Sequence, residues 1–222
     1  MDLVDRKLSR LAKLDSCAVS DAKDSLGLPP AASDILHLSG QGVLVGQVKT
    51  VRLVEGVPDP SQPKVHLGAR AIVQSTDRTV IVVSHPGIDS GGWGGVLSTG
   101  AQCAGVRGVI VDGPTRDIDE ARGLGFPIFA RRATARTARG RVYEAATGGT
   151  ITIGSEDVND GDFVIADGSG VVFVADAGFD KVLDAAEAIA RKEAAMVAAL
   201  RAGEPITSVM GAGYETMLER KK

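Results

Sequence analysis

HPGIDSGGWGGVLSTGAQCAGVRGVIVDGPTRDID, residues 85–119, is the stretch from which the fold is read. It opens on a glycine-rich loop in which Gly91, Gly92, Gly94 and Gly95 surround Trp93, the chain's single tryptophan. Glycine carries no side chain, so a ligand can approach that backbone closely. A helix-like segment, about 95–105, follows. It turns its free N–H groups and positive dipole end back toward the loop, where an anion can be held without a lysine. Val109, Ile110 and Val111 read as a buried strand. Asp112-Gly113-Pro114 then turns the chain and brings Arg116 and Asp117 to the same end of the sheet. A guanidinium and a carboxylate beside an anion-binding backbone suit a small acidic substrate, with or without a metal ion. The plainer alternative stays open: α/β proteins use glycine for tight strand–helix turns, and Arg-Asp pairs commonly sit in solvent.

Outward from this stretch, Thr79 to Val83 is a continuous run of apolar and β-branched residues, expected as a strand buried on both faces. The order strand 79–84, helix 95–105, strand 108–112, helix 117–124, strand 126–130 is a β-α-β-α-β unit with parallel strands and right-handed crossovers. Loops 85–94 and 112–116 then lie side by side at the strands' carboxyl ends. The two halves of the opening stretch become one site.

Farther out, Leu3, Val4, Leu8, Leu11 and Leu14 are spaced as an amphipathic helix within residues 1–14. Ser20 is expected to cap a short helix from Asp21 to Leu26, ended by Gly27 and Pro29-Pro30; Asp21 reads as a first-turn carboxylate before it reads as a site residue. Gly42 to Leu53 reads as a half-buried strand, Glu55 to Pro63 as a loop and His66 to Val73 as a short helix. Beyond Arg131, short strands near 141–145, 149–153, 162–167 and 171–174, joined by glycine turns, have antiparallel character. Arg131, Arg132, Arg136, Arg139 and Arg141 read first as a solvated basic edge and second as a means of steering an acidic substrate. Phe179 to Leu200 is the longest helix, with Phe179, Val182, Leu183, Ala186, Ile189, Ala190, Val197 and Leu200 as its apolar stripe. Glu193 falls on that stripe. It must pair, ligate a cation, face another subunit or snorkel at the edge, because burying a lone carboxylate is costly. Tyr214 to Arg220 reads as a short amphipathic tail.

The chain has 222 residues, enough for one large domain spanning 1–222, with N-terminal helices over 1–27 and a C-terminal helical tail over 178–222. Aromatics make up only 4% while glycines number 28, so the core must be built mainly from Val, Ile, Leu and Ala. A net charge of −3 argues against a nucleic-acid partner. Cys17 and Cys103 are too few for a disulfide framework, and no Cys/His cluster has zinc spacing. No signal-peptide core is present and no apolar run reaches the roughly 18 residues of a membrane span, so a cytoplasmic protein with no membrane partner is expected.

The segments VSDAKDSLG, VGQVKTVRL, residues 93–131, VNDGDFVIADGSGVVFV and RKEAAMVAALRAGE together resemble the RraA-like family, strongest over 108–130. That family includes class II 4-hydroxy-4-methyl-2-oxoglutarate and 4-carboxy-4-hydroxy-2-oxoadipate aldolases and the RNase E regulator RraA. The resemblance implies an α/β protein with a swivelling β/β/α fold: a central parallel β-α-β-α-β unit, short antiparallel strands and a long C-terminal helix. It implies homotrimers or homohexamers with the active site between subunits. It also implies a Mg²⁺- or Mn²⁺-dependent lyase that cleaves a 2-oxo acid by retro-aldol chemistry to release pyruvate, with oxaloacetate decarboxylation through the same enolate.

The family signature is Gly-Asp or Gly-Glu, then Arg-Asp with twenty intervening residues. Its second half matches Arg116 and Asp117; its first half falls on Gly94 and Gly95, so the usual acid is absent at Gly95. Carried over by this match, Arg116 would neutralise the developing oxyanion and Asp117 would hold the metal, directly or through water. The backbone of Gly94, Gly95, Val96 and Leu97, with Arg116, would bind the substrate carboxylate. Glu193 would complete the metal site from the adjacent subunit, and a metal-bound water is a candidate acid or base. Asp89 or His85 is a candidate replacement for the missing acid, and Gly95 alternatively marks a changed substrate. The competing expectation is a non-catalytic regulator that binds a ribonuclease; the regulator branch lacks the Asp of the Arg-Asp pair, which this chain keeps. Family members have also been labelled methyltransferases, but no S-adenosylmethionine-binding pattern is present.

Overall fold

The computed structural model of the chain describes residues 2–61 and 65–211. At its centre three parallel strands, Thr79–Ser84 (β3), Gly108–Thr115 (β4) and Ile128–Ala133 (β5), are connected by the helices Gly95–Cys103 (α4) and Ile118–Leu124 (α5). This is the predicted β-α-β-α-β unit. Val80, Ile81, Val82, Val109, Ile110, Val111, Ile128 and Phe129 are all essentially inaccessible to solvent, as the continuous apolar runs require. β4 runs past residue 112 to Thr115, because its pairing with β5 is interrupted after Val111 and resumes at Pro114. β5 begins two residues later than expected, since the Phe126 N–H still closes α5 on the Ala121 carbonyl and Pro127 follows.

The sheet extends on one side to the edge strand Leu36–Ser39 (β1), antiparallel to β5. On the other it reaches Leu44–Glu55 (β2), parallel to β3. β2 has 12 residues and serves two further partners. Its first half pairs with Phe163–Ala166 (β9), which pairs with Val171–Val174 (β10); its second half pairs with Val142–Thr147 (β6). The strand order is β1-β5-β4-β3-β2-β9-β10, with β6 on β2. Gly46 lies where β2 meets β3: a Cβ there would come within 2.5 Å of Val80 and 2.8 Å of the Arg78 carbonyl.

One face of the sheet carries helices. Ala71 of the short helix Ala69–Val73 (α3) and residues of α4 and α5 pack on β3, β4 and β5 with Trp93 and Phe126. Leu3–Leu11 (α1), Ser16–Ser25 (α2) and Phe179–Arg201 (α6) pack on Val45, β9 and β10. The opposite face is covered by a two-stranded ribbon, Thr150–Ile153 (β7) and Glu156–Asn159 (β8), which sets Ile151, Ile153 and Val158 against Val48, Val82, Ile110 and Phe173. Sheet, ribbon and helices make the β/β/α layering.

Several boundaries differ from the sequence expectation. α2 starts at Ser16, capped by Asp15, whose side chain accepts from the Ala18 N–H at 2.8 Å. Ser20 is not the cap, because Asp15 is the residue left extended at the end of the α1–α2 turn; Asp21 therefore lies inside the helix. α3 starts at Ala69 rather than His66, since Gly68 takes a left-handed conformation with φ 78°. The apolar stripe of α6 is buried only as far as Ile189, and Val197 is 44% exposed. Gly203 (φ 97°) follows the helix and a short turn, Ile206–Val209 (α7), comes next; the predicted tail at 214–220 lies outside the described residues.

Candidate functional site

The loops leaving β3 and β4 are joined by backbone hydrogen bonds. The Gly92 N–H donates to the Pro114 carbonyl at 2.8 Å and the Arg116 N–H to the Trp93 carbonyl at 3.1 Å, which also accepts from the Thr115 hydroxyl at 3.2 Å. Farther along, the Gly91 N–H donates to the Arg136 carbonyl at 3.0 Å. Trp93 is 1% exposed, and its indole N–H donates to Ser98 Oγ at 3.0 Å. Its ring closes on Gly68, where a Cβ would come within 2.8 Å of the six-membered ring. The loop is thus rigid on its protein side and bare on the other.

Arg116 and Asp117 sit where the sequence puts them, beside the N-terminus of α4. Asp117 takes a left-handed conformation (φ 58°, ψ 40°) just before α5, a strained choice for a non-glycine residue and one concentrated at functional sites. Its Oδ2 accepts the Gly95 N–H at 3.0 Å, and both carboxylate oxygens lie 3.1 Å from Arg116 Nε. Arg116 spends Nε on that pair; its two Nη groups have no hydrogen-bond partner among the described residues. The Gly95 N–H is occupied by Asp117. This leaves Val96 and Leu97 as the first-turn N–H groups of α4 without an intrahelical acceptor. Gly94 and Gly91 let these side chains approach closely: a Cβ at Gly94 would come within 2.8 Å of Asp117 Oδ2, and one at Gly91 within 3.1 Å of Arg116 Cγ, so either would push its neighbour aside.

Gly95 explains itself differently. A Cβ built there would fall inside the carboxylate of Glu120 and 3.2 Å from Cβ of Asp117. A glutamate of α5 thus places its carboxylate where a side chain at position 95 would begin. Sequence reading missed Glu120, although a signal was present: it follows Asp117 by three residues, one turn along a helix, so both can face the same way.

Neither proposed substitute fills this role. Asp89 is engaged by Arg132 Nη1 at 2.7 Å, Thr134 Oγ1 at 3.1 Å and Arg136 Nε at 3.3 Å, and Arg132 in the first place holds its carboxyl below the usual range. His85 is wedged between Gly92 and Gly113, where a Cβ on Gly113 would be 2.5 Å from the ring. Its Nδ1 accepts the Gly87 N–H at 3.1 Å, its Nε2 is buried without a partner, and burial lowers its pKa.

The α4 N-terminus, Arg116, Asp117, His66 and residues 137–139 line a pocket of about 230 Å³. The carboxylates of Asp117 and Glu120 are hard oxygen donors of the kind Mg²⁺ or Mn²⁺ takes, and two of them suit an ion that keeps most of its waters. Among the described residues no group of three or more His, Cys, Asp or Glu is gathered for a fuller cage. Glu193 is not brought to this pocket within one chain. It stands on α6 against α2, where burial first and then Asp15 and Asp21 raise its pKa. No helix among the described residues is long and apolar enough to cross a membrane.

A family model described as RraA-like, Aldolase/RraA, matches residues 16–173. The chain is 26% identical over 209 residues to Protein DlpA of Legionella pneumophila, covering 92% of this chain but only 33% of that protein. It thus spans a third of that relative's length. A protein of Halalkalibacterium halodurans named "Putative 4-hydroxy-4-methyl-2-oxoglutarate aldolase" is 27% identical over 186 residues, 81% of each chain. Among solved structures, an uncharacterized protein from Pseudomonas syringae pv. tomato superposes with a TM-score of 0.84 at 26% identity, covering 95% of this chain and all of its own.

Proposed function

The chain belongs to the RraA-like family, and from that premise we propose that it is a divalent-metal-dependent carbon–carbon lyase acting on a small 2-oxo acid. The substrate is of the 4-hydroxy-4-methyl-2-oxoglutarate or oxaloacetate type, and pyruvate is the product. The observation that carries this reading is the convergence of Arg116, Asp117 and Glu120 on the backbone at Gly95.

In this reading the 2-oxo acid enters with its carboxylate on the Val96 and Leu97 N–H groups, where the helix dipole favours negative charge. Retro-aldol cleavage breaks the C3–C4 bond: the C4 hydroxyl gives up its proton to solvent and becomes the carbonyl of the second product (in the oxaloacetate case C4 leaves as CO₂). The electron pair of the bond goes into the enolate of pyruvate. Arg116, with both Nη groups free, neutralises the enolate oxygen as charge builds on it, and a proton then returns to C3. Asp117 orients Arg116 through Nε. The buried Trp93 and Leu97 keep that side of the pocket dry, which strengthens the ionic contacts. Asp117 and Glu120 would hold Mg²⁺ or Mn²⁺, and the bound ion supplies polarisation of the 2-oxo group. Glu193 would join them only from a neighbouring copy in a homotrimer or homohexamer.

Exchange of pyruvate methyl protons in D₂O, followed by NMR, tests enolate formation without the full aldol substrate. Metal-dependent exchange is expected, abolished by EDTA and reduced about 10²–10³-fold in Arg116→Ala, the scale of a lost oxyanion contact. No exchange with any divalent metal, together with binding of a ribonuclease, would replace the lyase with a regulator.

A further inference from the structure

The basic segment of residues 131–141 sorts unequally in the folded chain. Arg131 Nε is 2.5 Å from Asp112 Oδ1, and Arg132 and Arg136 share Asp89 at 2.7 and 3.3 Å. Arg141 Nη1 donates to the Thr137 carbonyl at 3.1 Å. Arg139 is left over: its guanidinium makes no hydrogen bond or ion pair among the described residues, and it lines the pocket of Arg116 and the α4 N-terminus. Its own N–H donates to Thr137 Oγ1 at 3.2 Å, which fixes the turn that presents it.

We propose that Arg139 is the specificity-determining residue of this site and binds a second carboxylate on the substrate, distal to the 2-oxo acid group. The inference rests on reading the pocket as a 2-oxo-acid site. Arg116 is already opposed by Asp117, so the uncompensated guanidinium charge of the pocket is that of Arg139. One such charge matches one carboxylate, whereas a phosphate would remain under-neutralised. A pocket of about 230 Å³ holds only a small ligand, so both acidic groups must belong to a short chain. The planar fork of arginine pairs with a carboxylate through two parallel hydrogen bonds, which selects the dianion over the monoanion.

Calorimetric titration of the full chain with pyruvate and with 2-oxoglutarate, in Mg²⁺, decides the matter. The wild type is expected to bind 2-oxoglutarate more tightly than pyruvate. Arg139→Gln should weaken 2-oxoglutarate about tenfold and leave pyruvate within about twofold, since a charge-assisted pair is removed from one ligand only. Arg139→Lys should recover part of the loss. Equal weakening of both ligands, no weakening of either, or a wild type that does not prefer the dianion overturns the assignment. Pyruvate proton exchange separates the two readings. Its absence from the wild type defeats the lyase, whereas its persistence in Arg139→Gln with unchanged 2-oxoglutarate binding defeats Arg139 alone.

Discussion

The exchange of acids between positions 95 and 120 is a matter of single side chains. Glycine at 95 leaves room for what stands opposite, because the Glu120 carboxylate occupies the space a Cβ would take and would have to swing away from any side chain there. Under the proposed function, the acid would then be carried by the other element. Gly95→Asp alone should crowd Glu120 and Asp117 and weaken Mn²⁺ binding, because like charges pressed together disfavour ionisation. Glu120→Ala alone should also weaken it. Gly95→Asp combined with Glu120→Ala should restore affinity to within about tenfold of wild type, since one carboxylate is exchanged for another in the same space. Titration of Mn²⁺ by electron paramagnetic resonance measures all three; a double variant no better than Glu120→Ala would show that the position of the acid, and not its presence, is what matters. Position 95 reads as a vacancy in the sequence because a linear pattern records which residue is absent, not which neighbour leans in.

At the scale of elements, the same blindness hid β8. Its residues Glu156, Asp157, Val158 and Asn159 look like a polar turn, yet Glu156 and Val158 are buried while Asp157 and Asn159 are exposed. Glu156 can go inside because Lys23 of α2, 2% exposed, donates to its Oε1 at 2.6 Å and to the Phe173 carbonyl at 2.7 Å. This pair joins α2, β8 and β10 across the layers. Removing one partner strands the other charge, so Lys23→Met is expected to cost about 3–5 kcal/mol, whereas Lys23→Met with Glu156→Leu should recover most of it. Urea denaturation of the two variants gives both values, and a single variant as stable as the double would show that the pair is solvated. β1 was missed for a different reason: four residues after Pro29-Pro30 and Asp34 carry too little pattern to mark an edge strand. By contrast, β3, β4, α4 and α6 were legible because apolar runs and helical spacing report burial directly.

For the whole molecule, the outer half of α6 poses the largest question. Full burial along the helix ends at Ile189; the half-buried Glu193, still beside α2, and the exposed Val197 follow. A shared site in a closed ring would use that overhang, with Arg116 from one copy and Glu193 from the next. Arg116→Ala and Glu193→Gln oligomers should each be inactive alone. Unfolded together in equal amounts and refolded, they should regain about a quarter of the wild-type exchange rate, because random mixing in a ring pairs two intact residues at that frequency. Recovery no greater than the sum of the separate variants would place the whole site within one chain.

By itself, the sequence determined the alternation of strands and helices, the burial of the parallel core and the meeting of the Gly91–Gly95 loop with Arg116-Asp117. Each of these follows from periodicity, from the special conformations of glycine and proline, or from the rule that parallel strands open at one common end. Only the tertiary structure decided that the Glu120 carboxylate stands against Gly95, that Asp89 is engaged by Arg132, Thr134 and Arg136, and that Arg139, alone of the five arginines, lines the pocket with no side-chain partner among the described residues. These outcomes depend on which side chains face one another across separate elements. Electrostatic and steric energies are set by distance in space, and spacing along the chain does not encode that distance.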